Sequence, residues 1–146
     1  MKKEQSAGAV IYYFDEVPCF LLLKYKTYWG FAKGLIEENE SEKDTALREI
    51  KEETGLENFD IVPGFEEKQN WFFRWEGKLV NKEAVYFLIR VKREEKDRVK
   101  ISFEHEDFKW VAKEEALKLM KIKANKEMLE KAYKFIQEYE KQGKLF

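Results

Sequence analysis

The segment from Gly34 to Leu56 holds more carboxylates than a merely solvent-exposed helix needs, and it constrains the fold more than any other part of the chain. A helix is predicted over 42–54, because Ser41 is a favourable N-cap and Gly55 can adopt the left-handed conformation that ends many helices. Leu56 would supply the hydrophobic contact that often follows such an end. The chain must therefore pack one face of this helix and leave the other face accessible.

The accessible face of this helix is acidic. Glu49, Glu52 and Glu53 are separated by steps of three and four residues, so they share one side of a helix with 3.6 residues per turn. We expect three apolar residues to pack on the opposite side: Ala46, Leu47 and Ile50. Like charges at these spacings repel, and anions in the last turn oppose the helix dipole. The pattern indicates a bound cation, and carboxylates without a Cys or His cluster favour Mg²⁺ or Mn²⁺ over zinc.

Two more positions near this helix have chemical roles. Gly34 precedes the helix, where a missing side chain lets a backbone carbonyl approach a metal ion or a phosphate closely. Arg48 is permanently charged and fork-shaped, so it can orient a neighbouring glutamate through paired hydrogen bonds, and we predict Glu40 as its partner. The alternative interpretation is a solvated helix in a chain with 39% charged residues.

The residues from Gly34 to Leu56, taken together, match the signature of the Nudix hydrolases position for position, and the chain resembles that family. The resemblance implies a loop, helix and loop that bind a divalent metal. It implies metal ligation by Glu49, Glu52, Glu53 and the Gly34 carbonyl, and hydrolysis of a nucleoside diphosphate linked to another group. Family members that have lost activity are the main reason to keep the alternative interpretation.

The remaining pattern predicts an α/β fold of the α+β type in a single domain over 1–146. Strand patterns occur at 7–14, 18–24, 60–65, 69–75, 83–91 and 108–111, and helix patterns at 113–120 and 125–142. This order favours a mixed β-sheet sandwiched between α-helices. We expect core packing for the aromatic run 71–75 and solvent exposure for the charged runs 94–98 and 121–123.

Composition excludes several classes of function. The net charge of -1 gives no general attraction to nucleic acid or to an anionic membrane. Cys19 is the only cysteine, so an intrachain disulfide is impossible, and we expect a core position for it and a cytoplasmic setting for the protein. No stretch has the apolar length of a membrane span or the pattern of a signal peptide.

Three segments outside the signature resemble one branch of the family, the diadenosine tetraphosphate hydrolases. The segment 29–37 is similar to the one that precedes the signature helix in that branch. The resemblance implies that Lys33 binds phosphate, with Tyr28 and Trp29 beside the substrate. Some members carry a histidine where this chain has Tyr28 and a proline where it has Ala32, and these departures concern phosphate contacts and loop rigidity.

The other two segments lie later in the chain. Residues 85–88 are similar to a strand of that branch whose tyrosine, here Tyr86, stacks on a base; an ordinary strand aromatic is the alternative. Residues 102–110 resemble its Glu-His segment. There Glu104 could complete a metal shell or activate water, or be an exposed surface glutamate. For His105, the only histidine, we expect a structural or substrate-positioning role.

The sequence thus predicts metal-dependent hydrolysis of a dinucleoside polyphosphate, with diadenosine tetraphosphate cut to ATP and AMP. Water is the expected nucleophile, and Glu49, Glu52 or Glu104 would accept its proton. The alternatives are another Nudix substrate, such as a damaged nucleoside triphosphate, an RNA 5′ end or an inositol pyrophosphate, and a nucleotide-binding sensor. The sequence leaves open the exact substrate, the metal, the general base and the oligomeric state.

Overall fold

The computed structural model of the protein describes residues 2–143. Within these residues there are seven strands, three α-helices and one 3₁₀ helix. Their order is β1 (Lys2–Asp15), β2 (Val17–Lys24), β3 (Trp29–Gly30), β4 (Ala32–Leu35), α1 (Glu42–Thr54), β5 (Asp60–Trp75), β6 (Lys78–Arg90), the 3₁₀ helix (Arg93–Arg98), β7 (Asp107–Ala112), α2 (Lys113–Leu119) and α3 (Lys123–Gly143). None of the helices within 2–143 is long and apolar enough to cross a membrane.

The strands form one mixed sheet organised around β1. The main order is β3-β2-β1-β6-β5, while β4 pairs with β1 and β7 pairs with β2. β1 and β6 are parallel, in register from Lys2 opposite Val80 to Tyr12 opposite Arg90, and the other pairs are antiparallel. Because β1 pairs with three other strands, a short segment such as β4 takes its position directly from the centre of the sheet.

Alternation along β1 places its side chains in two separate cores. Tyr12 packs in a cluster that includes Leu129 of α3, and the neighbouring Ile11 packs in a cluster that includes Ile50 of α1. Successive side chains of a strand point to opposite faces of a sheet, so α1 covers one face while α2 and α3 cover the other. The predicted mixed sheet sandwiched between helices is confirmed.

Several element bounds differ from the sequence predictions because strand pairing is not local. The two strands predicted at 60–65 and 69–75 are one strand, β5, whose register against β6 shifts between Ile61 and Glu66. Gly64 lies in this bulge with φ of 92°, a conformation that favours glycine. The segment 29–35, which lies in none of the predicted strands, contains β3 and β4.

The aromatic run of β5 does not pack as predicted. Phe72 and Trp75 are exposed near the end of the β5–β6 hairpin, and Trp71 is half-buried. The charged run 94–98 lies in the 3₁₀ helix, with Glu95 buried where a solvated residue was expected. Cys19, expected in the core, is partly buried against the cluster beneath α1.

Candidate active site

The helix that carries the carboxylates begins and ends where its capping residues predict. The Ser41 side chain accepts the Asp44 backbone N–H at 3.0 Å, and the Asp44 carboxylate accepts the Ser41 N–H at 3.4 Å, which together form a capping box. At the other end Gly55 has φ of 72° and donates its N–H to the Lys51 carbonyl at 3.0 Å. The predicted bounds of α1 are confirmed.

Four carboxylates line one cavity of about 520 Å³ beside this helix. Glu49, Glu52 and Glu53 come from α1, and Glu104 comes from the segment before β7. Glu52 and Glu104 are open to solvent, but Glu53 is only 2% exposed and Glu49 is also buried, so the prediction of an accessible acidic face is wrong for these two residues. Ala46 and Glu53 are seven residues apart and share one side of α1, so the packed side of the helix includes these carboxylates. The remaining residues around this acidic cavity are Lys33, Gly34, Leu35, Ser102 and Phe103.

The absent side chain of Gly34 leaves room for the Glu49 carboxylate, a contact that the sequence did not predict. Gly34 lies in β4 opposite Ala7 of β1, and a Cβ built on Gly34 would overlap the Glu49 carboxylate. The sequence predicts that the missing side chain admits a metal ion or a phosphate to the backbone carbonyl. In the structure, the space that a side chain would fill at this position is occupied by Glu49.

Arg48 orients the acidic residues around it. Its Nε and Nη2 donate to the two carboxylate oxygens of Glu40 at 2.7 and 3.0 Å, as predicted. Its Nη1 donates to Glu49 Oε1 at 2.8 Å and to Glu52 at 3.1 Å. The Arg48 hydrogen bonds lower the pKa of Glu40 to about 2, so this pair stays charged at every ordinary pH.

Glu53 is held from two directions. Its Oε2 accepts the Lys33 backbone N–H at 2.8 Å, and its Oε1 lies 3.1 Å from His105 Nε2. Burial raises the pKa of Glu53 although these two contacts oppose the shift, and burial followed by repulsion from Glu53 raises the pKa of Glu49 to about 7. The site thus concentrates negative charge that the protein's own cations only partly offset.

This donor set fits a hard divalent cation. The residues that α1 contributes to the cavity are all glutamates, and Mg²⁺ and Mn²⁺ prefer carboxylate oxygens as ligands. One ligand atom each from Glu53, Glu104 and His105 also lies within 4.8 Å of the others. Within the described residues, His105 Nδ1 has no hydrogen-bond partner, and the ring packs edge-on against Tyr25 with centroids 4.6 Å apart.

A second cavity of about 300 Å³ adjoins the acidic one and shares Lys33 with it. Lys33 Nζ lies 4.7 Å from the centroid of the Trp71 ring. Burial and the nearby Lys82 lower the pKa of Lys33 to about 8, while Glu53 opposes the shift. We call this second cavity the aromatic cavity; besides Lys33 it is lined by Tyr28, Gln69, Trp71, Lys82, Ile122, Ala124 and Asn125.

The structure separates the predicted substrate-binding residues into two groups. Tyr28 and Lys33 line the aromatic cavity, and the Tyr28 ring stacks on Tyr25 with centroids 4.7 Å apart. Trp29 instead packs against the core, and Tyr86 is 1% exposed, edge-to-face with Phe31 at 5.7 Å. A ring enclosed in this way offers no face to a base, so the expectation that Tyr86 stacks on one is corrected.

Trp71 lines the aromatic cavity although the sequence did not predict it as a site residue. It belongs to the aromatic run 71–75, for which the sequence predicts core packing. The only sequence feature that pointed to a binding role was the high density of aromatic residues in this run. Trp71 lies on β5, at the edge of the main strand order, whereas Tyr86 lies on β6, which has a neighbour on each side. The edge position leaves the Trp71 ring partly accessible.

Comparison with known proteins identifies relatives of the chain. The NUDIX domain matches residues 2–132. The chain is 34% identical over 122 residues to the asymmetrical bis(5′-nucleosyl)-tetraphosphatase of Mus musculus, covering 80% of each chain. It is 28% identical to the dihydroneopterin triphosphate diphosphatase of Haemophilus influenzae, covering 89% of this chain and 87% of that one.

The fold is also similar to that of a solved structure. A crystal structure of a C. elegans Ap4A hydrolase binary complex superposes with a TM-score of 0.79 at 29% identity, covering 92% of this chain and 98% of the other. The NUDIX domain matches most of the chain, and the identity to the Mus musculus relative exceeds 30% over four fifths of it, so the chain belongs to the Nudix family as a pyrophosphohydrolase.

Proposed function

We propose that the protein hydrolyses a phosphoanhydride bond of a dinucleoside polyphosphate, with diadenosine tetraphosphate as the substrate and Mg²⁺ or Mn²⁺ as the cofactor. One observation carries the proposal: the acidic cavity and the aromatic cavity meet at a single lysine, Lys33. A phosphate chain lying at Lys33 would place its reacting phosphates beside the carboxylates and its nucleoside beside Trp71. The identity to the Mus musculus tetraphosphatase supports the same substrate class.

The cation would be held by Glu49, Glu52 and Glu53 together with the Gly34 carbonyl. When bound, it supplies charge stabilisation for the phosphate oxygens and lowers the pKa of a water molecule. Gly34 makes this arrangement possible because its missing side chain admits the Glu49 carboxylate.

The chain's own side chains supply the remaining functions. Arg48 fixes the direction of Glu49 through the 2.8 Å hydrogen bond and is itself fixed by Glu40. The Lys33 ammonium faces the phosphate chain and offsets negative charge there. The proton acceptor for the attacking water is one of the carboxylates that line the acidic cavity: Glu49, Glu52 or Glu104.

The aromatic cavity has the composition of a nucleoside site. Trp71 and Tyr28 supply aromatic surface on which a base can stack. Gln69 Nε2 donates to the Ala124 carbonyl at 2.9 Å and to Asn125 Oδ1 at 3.2 Å, so the two amides hold each other beside this cavity. Fixed polar groups in a mostly apolar cavity are what orient a small ligand.

A second candidate is hydrolysis of a mononucleotide such as a nucleoside triphosphate. The similarity to the Haemophilus influenzae dihydroneopterin triphosphate diphosphatase favours it, since that relative spans nearly the whole chain. A single base in the aromatic cavity and a triphosphate at Lys33 would satisfy the same contacts. The two candidates differ in whether a second nucleoside increases the rate.

A hydrolysis panel with and without a chelator tests the proposal. Diadenosine tetraphosphate should be the best substrate with Mg²⁺ or Mn²⁺, and a chelator should abolish its cleavage. Rapid hydrolysis of a nucleoside triphosphate beside slow hydrolysis of the dinucleotide would instead favour the second candidate.

The Glu53→Gln variant tests the metal assignment within the same panel. It should lower turnover by at least about 100-fold, because it removes a ligand charge. The fold should survive, since a glutamine amide can accept the Lys33 N–H and donate to His105 in its other tautomer. The exposed Glu57→Gln is the matched control, and equal turnover by the two variants would contradict the assignment.

A further inference from the structure

Phe103 is 98% exposed at the rim of the acidic cavity. We propose that its ring is the stacking platform for the second nucleobase of the dinucleotide, the one that does not enter the aromatic cavity. The inference rests on the proposed function and adds to it a binding subsite for an aromatic heterocycle. It also assigns this part of the rim a role in choosing dinucleotides over mononucleotides.

The turn that presents Phe103 is anchored on both sides. The His105 N–H donates to the Ser102 carbonyl at 3.1 Å, and the Ser102 N–H donates to the carbonyl of Glu53 in α1 at 3.3 Å. The Glu106 N–H donates to the Lys24 carbonyl at 2.8 Å, and the His105 side chain is buried against Glu53. Ligand binding therefore needs little ordering of the backbone that carries the Phe103 ring.

The surroundings of Phe103 distinguish it from an ordinary exposed apolar residue. Single apolar side chains on a surface are common and need no explanation. This one stands beside Glu104 on a cavity otherwise lined mainly by charged groups, and Leu35, also exposed, lines the same cavity. Turn positions usually carry small polar residues, whereas the tip of this turn carries a bare aromatic ring that offers stacking surface at the rim of the acidic cavity.

Two aromatic sites then serve the two ends of one substrate. Trp71 belongs to the aromatic cavity and Phe103 to the acidic cavity, and the two cavities have only Lys33 in common. A phosphate chain with a base at each end can use both rings, whereas a mononucleotide can use only one. Stacking on an exposed ring is tolerant of base identity, so the platform should select for the presence of a second base and not for its type.

The test compares two substrates with the same number of phosphates: diadenosine tetraphosphate and adenosine 5′-tetraphosphate. The quantity measured is the ratio of their kcat/KM values. Phe103→Ala should lower this ratio about five- to tenfold, and Phe103→Trp should keep or raise it. Trp75→Ala is the matched control, since Trp75 is 64% exposed near the tip of the β5–β6 hairpin and should leave the ratio within about twofold.

Each outcome decides a different point. A ratio unchanged in Phe103→Ala, or kcat/KM values that fall equally for both substrates, overturns the platform and leaves the proposed function standing. Wild-type protein that cleaves neither substrate overturns the proposed function, and the platform with it. A ratio that falls in Phe103→Ala and recovers in Phe103→Trp supports the platform.

Discussion

The position that a Cβ of residue 34 would take overlaps the carboxylate of Glu49. Gly34 lies in β4 and Glu49 in α1, so the contact joins the strand next to β1 to the helix that packs across the sheet. Gly34 thus contributes to the site because the absence of a side chain leaves space for the Glu49 carboxylate. A carboxylate of a buried residue can approach the strand only because nothing stands in that place.

The first prediction follows from this contact. Gly34→Ala should lower turnover by about 100-fold or more, because Glu49 must move from the position in which it lies beside Arg48. Gly143→Ala, where an added Cβ would meet nothing within 4 Å, is the matched control. Turnover and thermal unfolding should be measured for both variants, and wild-type turnover in Gly34→Ala would contradict the role assigned to the contact.

The second prediction concerns His105 as a positioning residue for Glu53. His105→Leu removes the partner 3.1 Å from Glu53 Oε1 and should weaken Mn²⁺ binding about 10- to 100-fold, as loss of a group that orients a ligand commonly does. His105→Gln keeps an N–H donor at similar reach and should restore most of the affinity. Titration of free Mn²⁺ by electron paramagnetic resonance measures the Mn²⁺ affinity of both variants without substrate. Equal affinities for His105→Leu and His105→Gln would show that a hydrogen-bond donor at position 105 does not position Glu53.

The third prediction is a pH dependence of stability from the Arg48–Glu40 pair. The pKa of Glu40 falls from 4.5 to about 2 on folding, chiefly because of the Arg48 hydrogen bond, so its contribution is fully present above the unfolded value. It should be lost as the pH falls through that window. The Tm difference between wild type and Glu40→Gln should therefore be largest above about pH 5 and shrink toward pH 2.

The control for this prediction is Glu38→Gln, a change at an exposed neighbour. Its Tm difference from wild type should vary little over the same pH range. If the Tm difference of Glu40→Gln were constant from pH 6 to pH 3, the pair would contribute no pH-dependent stability.

The fourth prediction separates Trp71 from Tyr86. Tyr86→Ala should lower the free energy of unfolding by roughly 3–5 kcal/mol, the cost of deleting a buried aromatic ring. Trp71→Ala should instead raise KM for the nucleotide about fivefold or more, since stacking persists from bound substrate to transition state. Chemical denaturation and steady-state kinetics on both variants check the assignment, and the reverse pattern would return base stacking to Tyr86.

The parts of the site that sequence could predict are those with local causes. The bounds of α1 were predictable because the caps at Ser41 and Gly55 act within a few residues. Helical periodicity likewise placed the three glutamates near one another, but it did not show that Glu49 and Glu53 would be buried. The Arg48–Glu40 pair was predictable for a related reason, since a flexible fork-shaped cation reaches a carboxylate at the entrance to its own helix.

The parts that sequence could not predict depend on contacts between distant segments. A side chain at position 34 would overlap Glu49, and this follows only from the pairing of β4 with β1 beneath α1. Likewise, the similarity of residues 85–88 to a strand of the diadenosine tetraphosphate hydrolases placed Tyr86 on a strand. It did not show which side of the sheet the Tyr86 ring would occupy. The neighbours of β6 and the packing of α3 bury that side, and they leave Trp71 on β5 to face the cavity.

The most direct test of the account is product analysis of diadenosine tetraphosphate hydrolysis in ¹⁸O-labelled water with Mg²⁺. One acidic cluster beside one nucleoside cavity makes an asymmetric site, so the dinucleotide should bind in a single register and be cut off-centre. The account predicts ATP and AMP in equal amounts, with one product carrying the label. Two molecules of ADP as the initial products, or no cleavage beside rapid turnover of another nucleotide, would contradict it.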